Sequence, residues 1–186
     1  KFYTQSRAEG KHQNFLSLSL VGILVNFSIF LIGYFAVNLL FPKLQETEMW
    51  QMKSLILPLI LVLAFSAVFN KYLSNFKRIA IPNIFENLLP KLANLGAFCL
   101  FFFLGFPEKA AYLFFILMFI LGLFGYIYYT NRIEKLKPDF STDYIKKDNL
   151  WKEVLNYSFY GFLGNIGNFI AVRIDSVMIG EFLGFE

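Results

Sequence analysis

The chain has 186 residues, of which 57% are hydrophobic and only 16% charged, with 25 Phe and a formal net charge of +4. Soluble domains average about 45–50% apolar and about 25% charged residues, so this composition argues against a soluble enzyme, a disordered tail or a fibrous protein. At about 20 residues per crossing the length holds roughly five membrane spans with short loops, and the chain is expected to be a piece of a larger membrane protein.

The chain opens on a polar segment, Lys1–Gln13, which is no signal peptide because the apolar run behind it is too long for an h-region. A first uncharged run, Phe15–Phe41, predicts a transmembrane helix over 15–41. Ser19, Gly22, Asn26 and Gly33 make a mild stripe on it that suits helix packing, and Asn38 lies off that face. A short loop leads to a second uncharged run, Ser54–Asn70, which extends by a turn to give a span over 54–74. A third span over 82–104 contains Glu86 and Lys91. A fourth, over 110–131, is uncharged. Residues 132–150 form the one real linker, a mixture of basic and acidic residues, and a fifth helix runs from about Trp151 to Leu183. Strands would show alternation with turn signals about every ten residues, and none appear. The expected fold is all-α, a polytopic bundle of transmembrane helices. Pro42, Pro58, Pro82, Pro107 and Pro138 stand at or near segment ends, where a missing N–H costs least. Trp50, Tyr72, Tyr112, Tyr128, Tyr129 and Trp151 are expected at membrane interfaces.

Lys and Arg alternate between the loops. Twelve lie before the first span, between the second and third, and between the fourth and fifth, against three on the other side. The positive-inside rule then puts residue 1 and the 131–150 loop in the cytoplasm. The basic residues flank apolar runs instead of forming a patch, which argues against nucleic acid. Cys99 is alone in an apolar run, and His12 has no second His or Cys near it, so neither a disulfide framework nor a metal or haem site is expected.

Ionisable groups at membrane depth are functional hypotheses by default. At about 100° per residue, Asn83, Glu86, Asn87, Pro90, Lys91 and Asn94 fall within an arc of about 140° on the third span. Counted from Arg78, Glu86 lies roughly 12 Å deep and Lys91 roughly 20 Å deep, near the midplane. Pro90 cannot donate to the carbonyl of Glu86, so a kink is expected between the two charges. Two readings of these charges stand: a salt bridge that glues the bundle, or a polar lining that meets a substrate or ion. On the fifth helix Tyr157, Gly161, Gly164, Asn168, Ala171 and Asp175 recur at alternating spacings of four and three, which suits close helix contact. Arg173 lies near the outer interface, within reach of snorkelling. The run Gly161–Gly167 superficially resembles a phosphate loop but follows no strand. Acids within spans are single and the sole His is in a terminal polar segment, so no catalytic constellation and no cofactor is expected.

Arg78–Glu86, leading into an apolar helix, resembles the start of the fifth helix of polysaccharide flippases. Leu155–Phe159, followed by Arg173-Ile174-Asp175-Ser176-Val177-Met178-Ile179-Gly180 and Phe182-Leu183-Gly184, resembles the seventh helix of Wzx-type O-antigen and polysaccharide exporters. These form the polysaccharide transport branch of the multidrug/oligosaccharidyl-lipid/polysaccharide superfamily. The resemblance implies a two-lobed transporter of which this chain holds about the third to seventh helices. Residues 1–131 would then belong to the first lobe, 132–150 would be the cytoplasmic inter-lobe linker, and 151–186 would open the second lobe. It implies alternating access in the bacterial cytoplasmic membrane, with an undecaprenyl-pyrophosphate-linked oligosaccharide as substrate and other polysaccharide-assembly proteins as partners beside membrane lipid. On that reading Lys91 is the candidate cavity cation, and Glu86, Asn87, Asn94 and Asn83 share its lining. Asp175, Asn168 and Arg173 would serve lobe contact or gating, and Pro90, Gly161 and Gly164 kinking or packing. Two competing expectations are a drug/cation antiporter of the same superfamily and a polysaccharide polymerase. The polymerase would call for a large external loop, and the external loops here are short.

Overall fold

The computed structural model describes residues 2–77, 80–146 and 149–183, with the backbone alone at residues 2, 3, 44, 48, 49, 169, 172, 173 and 175–183. The chain forms two compact units, 3–140 and 141–186. Every regular element among the described residues is helical.

In the first unit a short helix α1 (Phe2–Ala8) stops at Gly10, whose φ of +68° is readily reached only without a Cβ. The amide of Gly10 donates to Arg7 and that of Lys11 to Ser6, which closes the turn. α2 (His12–Leu40) follows. At 1.5 Å per residue its 29 residues reach roughly 44 Å, more than the hydrocarbon thickness. A 3-10 turn at Pro42–Glu46 and the short α3 (Glu48–Gln51) return the chain to α4 (Lys53–Ser74). Pro58 sits inside α4, in its second turn, rather than at its end. Its missing N–H there costs one hydrogen bond to the first turn.

The third span is composite. α5 (Ala80–Asn83), a π turn (Ile84–Leu88) and α6 (Leu89–Phe102) run on from one another. Gly105, at φ +65°, ends this span and lets the amide of Phe106 reach back to Leu100. Pro107 then starts α7 (Glu108–Ile133). Among the described residues, four helical stretches are long and apolar enough to cross a membrane: His12–Leu40, Lys53–Ser74, Ala80–Phe102 and Glu108–Ile133. Their bounds agree with the sequence reading to within a few residues. In the second unit α8 (Asp143–Lys146) precedes α9 (Leu150–Leu183), the expected fifth helix. α9 carries Asn156, Asn165, Asn168 and four glycines.

Packing is concentrated at one end of the first unit. Leu16 of α2, Phe69, Tyr72 and Leu73 of α4, and Tyr126 of α7 form the buried cluster, with Phe76, Phe85 and Ile133 around it. The same end carries Arg7, Lys11, Lys71 and Arg132, so the loops that alternate in charge along the sequence meet at one end of the bundle. α6 and α7 approach closely because their contact is made at glycines. A Cβ on Gly122 would lie 2.6 Å from Leu89, one on Gly125 2.6 Å from Phe85, and one on Gly96 2.4 Å from Phe114. Small residues serve this purpose where helices meet in lipid. The outer part of α2 is uncovered, with Ile32, Leu39 and Leu40 all more than 70% exposed, as suits a lipid-facing surface.

Candidate functional site

Proline at position 90 decides the local shape of the third span. In a regular helix its amide would donate to Glu86, but it has none, and its ring presses on that carbonyl. The chain widens by one residue immediately before it, and Leu89 donates to Ile84 across the π turn. Such turns are frequent at functional sites. The expected kink between Glu86 and Lys91 is thus realised as a change of register. The polar residues of this span fall in two rows. Asn83, Asn87 and Lys91, spaced by four, are all exposed, and the Asn87 amide donates to Asn83 Oδ1 at 3.5 Å. Glu86 and Asn94, which are exposed as well, and half-buried Pro90, again spaced by four, border cavities against α4 and α7.

Glu86 lines a cavity of about 170 Å³ with Asn70, Ser66, Phe85, Pro90 and Tyr126. Its Oε2 accepts a hydrogen bond from Asn70 Nδ2 at 2.7 Å. The ion pairs among the described residues join Lys11 to Asp139 and His12 to Glu134, and none joins Glu86 to Lys91. The third span is tied to α7 nearby: Tyr126 donates to the carbonyl of Pro82 at 3.1 Å, and the Tyr126 and Phe85 rings lie 4.9 Å apart. Asn94 borders a separate space of about 380 Å³, with Leu55, Glu108 and Tyr112. Lys91 lines neither cavity.

The densest polar network lies elsewhere, and sequence reasoning missed it. After α7 the chain runs extended, and residues 134–139 are held against the first two turns of α2. His12 Nε2 meets Glu134 Oε1 at 2.5 Å, and Gln13 donates to Glu134 at 3.2 Å and to the carbonyl of Lys135 at 3.0 Å. The Lys137 amide donates back to Gln13 at 2.5 Å. Asn14 donates to the carbonyl of Asp139 at 3.0 Å, and the Asp139 amide donates to Ser17 Oγ at 3.2 Å. Tyr72 adds its hydroxyl to Glu134 at 3.4 Å, so this tyrosine is buried in the core with its polar tip in the network. Burial pushes the Glu134 carboxyl up, but hydrogen bonds from His12 and Gln13 and the charges of His12 and Arg7 outweigh it, leaving the group below its ordinary 4.5. Part of the expected linker therefore belongs to the first unit. The signal for it was a run of hydrogen-bonding side chains, His12, Gln13, Asn14 and Ser17, at the start of an apolar helix.

On α9, Asn168 is exposed, and a Cβ on Gly161 or Gly164 would meet nothing within 4 Å. The side chains of Arg173 and Asp175 lie outside the described residues, as do Arg78 and Ile79. No three metal-ligating side chains come together among the described residues. No family model, no curated protein and no solved structure matches the chain. What the fold defines is a class: an all-helical, multi-pass bundle with, among the described residues, four helices able to cross a membrane.

Proposed function

We propose that the chain is part of a transporter that flips an undecaprenyl-pyrophosphate-linked oligosaccharide across the bacterial cytoplasmic membrane, by alternating access, for polysaccharide biosynthesis. The observation that carries this reading is the row Asn83, Asn87, Lys91. It runs down an exposed face of a membrane-length helix and ends on a lysine about halfway along it, a position that suits the midplane. A charge held at that depth is costly without a partner. Amides suit sugar hydroxyls, and a cation suits a pyrophosphate. The sequence resemblance to Wzx-type exporters supplies the substrate class. On this reading the Lys1 side and the 131–150 loop face the cytoplasm, and Asp175, Asn168 and Arg173 belong to the second lobe.

The test is export of surface polysaccharide by the full-length protein. Lys91→Ala is expected to abolish it and Lys91→Arg to keep most of it at equal protein level. Unchanged export by Lys91→Ala overturns the assignment. A second reading, a drug/cation antiporter, is favoured by one observation. Glu86 sits in a cavity with a neutral amide as its partner, an arrangement that suits a bound cation or proton. Cation-dependent drug efflux that Glu86→Gln removes, with polysaccharide export unaffected by either change, would select it.

A further inference from the structure

A second groove opens between a different pair of helices, α2 and α4, at the basic end of the first unit. It encloses about 300 Å³. Its wall is apolar, built from Phe15, Leu16 and Val68, and its rim carries His12, Lys71 and Asn75. We propose that this groove binds one anionic phospholipid with a hydroxyl-bearing headgroup, such as phosphatidylglycerol, its acyl chain on the wall and its phosphate on Lys71.

Charge and depth both fit that occupant. Lys71 stands in the last turn of α4, where a span leaves the hydrocarbon, and its side chain is exposed. Among the described residues it enters no ion pair. Glu134, which bonds to His12 on the rim, also takes hydrogen bonds from Gln13 and Tyr72, with Arg7 adding to the positive field around it. That leaves one lysine for one phosphodiester. Asn75 spends its amide nitrogen on the carbonyls of Lys71 and Tyr72. What remains to it is an acceptor oxygen, which suits a glycerol hydroxyl and offers nothing to a choline. From Asn75 to Ala67 the α4 wall of the groove runs roughly 12 Å towards the midplane. That depth is acyl-chain territory, out of reach of a soluble anion. Basic pockets between spans are places where anionic headgroups are recognised. The site does not depend on the transport reading.

The experiment is native mass spectrometry of the full chain, released from nanodiscs made of equal parts phosphatidylglycerol and phosphatidylcholine with the same acyl chains. The wild type is expected to retain one phosphatidylglycerol in preference to phosphatidylcholine. Lys71→Gln should cut that preference roughly fivefold, the worth of one lysine beside an anionic headgroup, and Lys71→Arg should restore it. Ser19→Leu, which fills the groove and leaves the charge in place, should lower retention of both lipids. Helical content by circular dichroism checks each variant, and if Lys71→Gln does not fold, Ser19→Leu and Lys71→Arg decide. Equal preference in the wild type and a folded Lys71→Gln overturns the proposal. So does retention untouched by Ser19→Leu, or displacement of the lipid by inorganic phosphate alone.

Discussion

At the basic end of the first unit, α2, α4 and α7 meet around buried Leu16, Leu73 and Tyr126, and residues 134–139 are hydrogen-bonded across the top of α2. At the opposite end the same α2 stands largely uncovered. There it is held by aromatic contacts: Trp50 stacks on Tyr34 at 5.6 Å, and Lys53 lies 3.5 Å over the Trp50 ring. The contrast teaches what fastens helices in a bilayer. Leu against Leu gains little over Leu against lipid, so close approach at small residues and hydrogen bonds between polar groups set the arrangement. Apolar content, however high, does not.

The largest expected effect tests close approach itself. Gly122→Leu forces a side chain onto Leu89, whose Cδ2 already lies 2.6 Å from the place of a Cβ, and should cost about 1–3 kcal/mol. Gly33→Leu, on the uncovered face of α2 with nothing within 4 Å, should leave thermal unfolding in detergent unchanged. Equal loss in both would mean that backbone effects, not packing, govern these glycines.

A smaller effect is expected at the polar end. Glu134→Gln replaces an acceptor that serves His12, Gln13 and Tyr72, and should cost about 1–2 kcal/mol. Hydrogen exchange should quicken at the amides of Lys137 and Asp139. The pH dependence has a definite sign. Because the folded Glu134 carboxyl sits below its ordinary 4.5, its contribution is full above that value and is lost as the pH falls through the lower folded one. Wild-type unfolding temperature should fall in that acid window, and the Gln variant should fall less. The smallest effect belongs to the opposite end, where Lys53→Gln removes one cation–π contact worth about 0.5–1 kcal/mol. A loss there larger than at Glu134 would reverse the ranking of the two ends.

Much of this was legible from residues. Four uncharged or nearly uncharged runs, bounded by prolines and basic loops, gave four helices close to their observed bounds. Pro107 marked a segment end, and the structure places a turn there between α6 and α7. The site was legible only in part. Glu86, Lys91 and the three asparagines were found because polarity within an apolar run is conspicuous, but their shared arc rested on a uniform 100° per residue, which the π turn before Pro90 does not keep. Asn70 as the partner of Glu86, and Glu134 as the partner of His12, stand 16 and 122 residues away. No local pattern points to partners at such separations.

The sequence by itself determined which segments are apolar enough to span a bilayer, where they stop, and that the basic loops alternate. Each is a property of consecutive residues and of the cost of placing charge in hydrocarbon. Only the tertiary structure decided that Glu86 bonds to Asn70 instead of pairing with Lys91, and that the expected linker begins as a strap across α2. It likewise settled that glycines of α6 and α7, rather than the stripe on α2, make the close contact. Hydrogen bonds and side-chain fit act over a few ångströms, so they depend on which helices come to lie side by side.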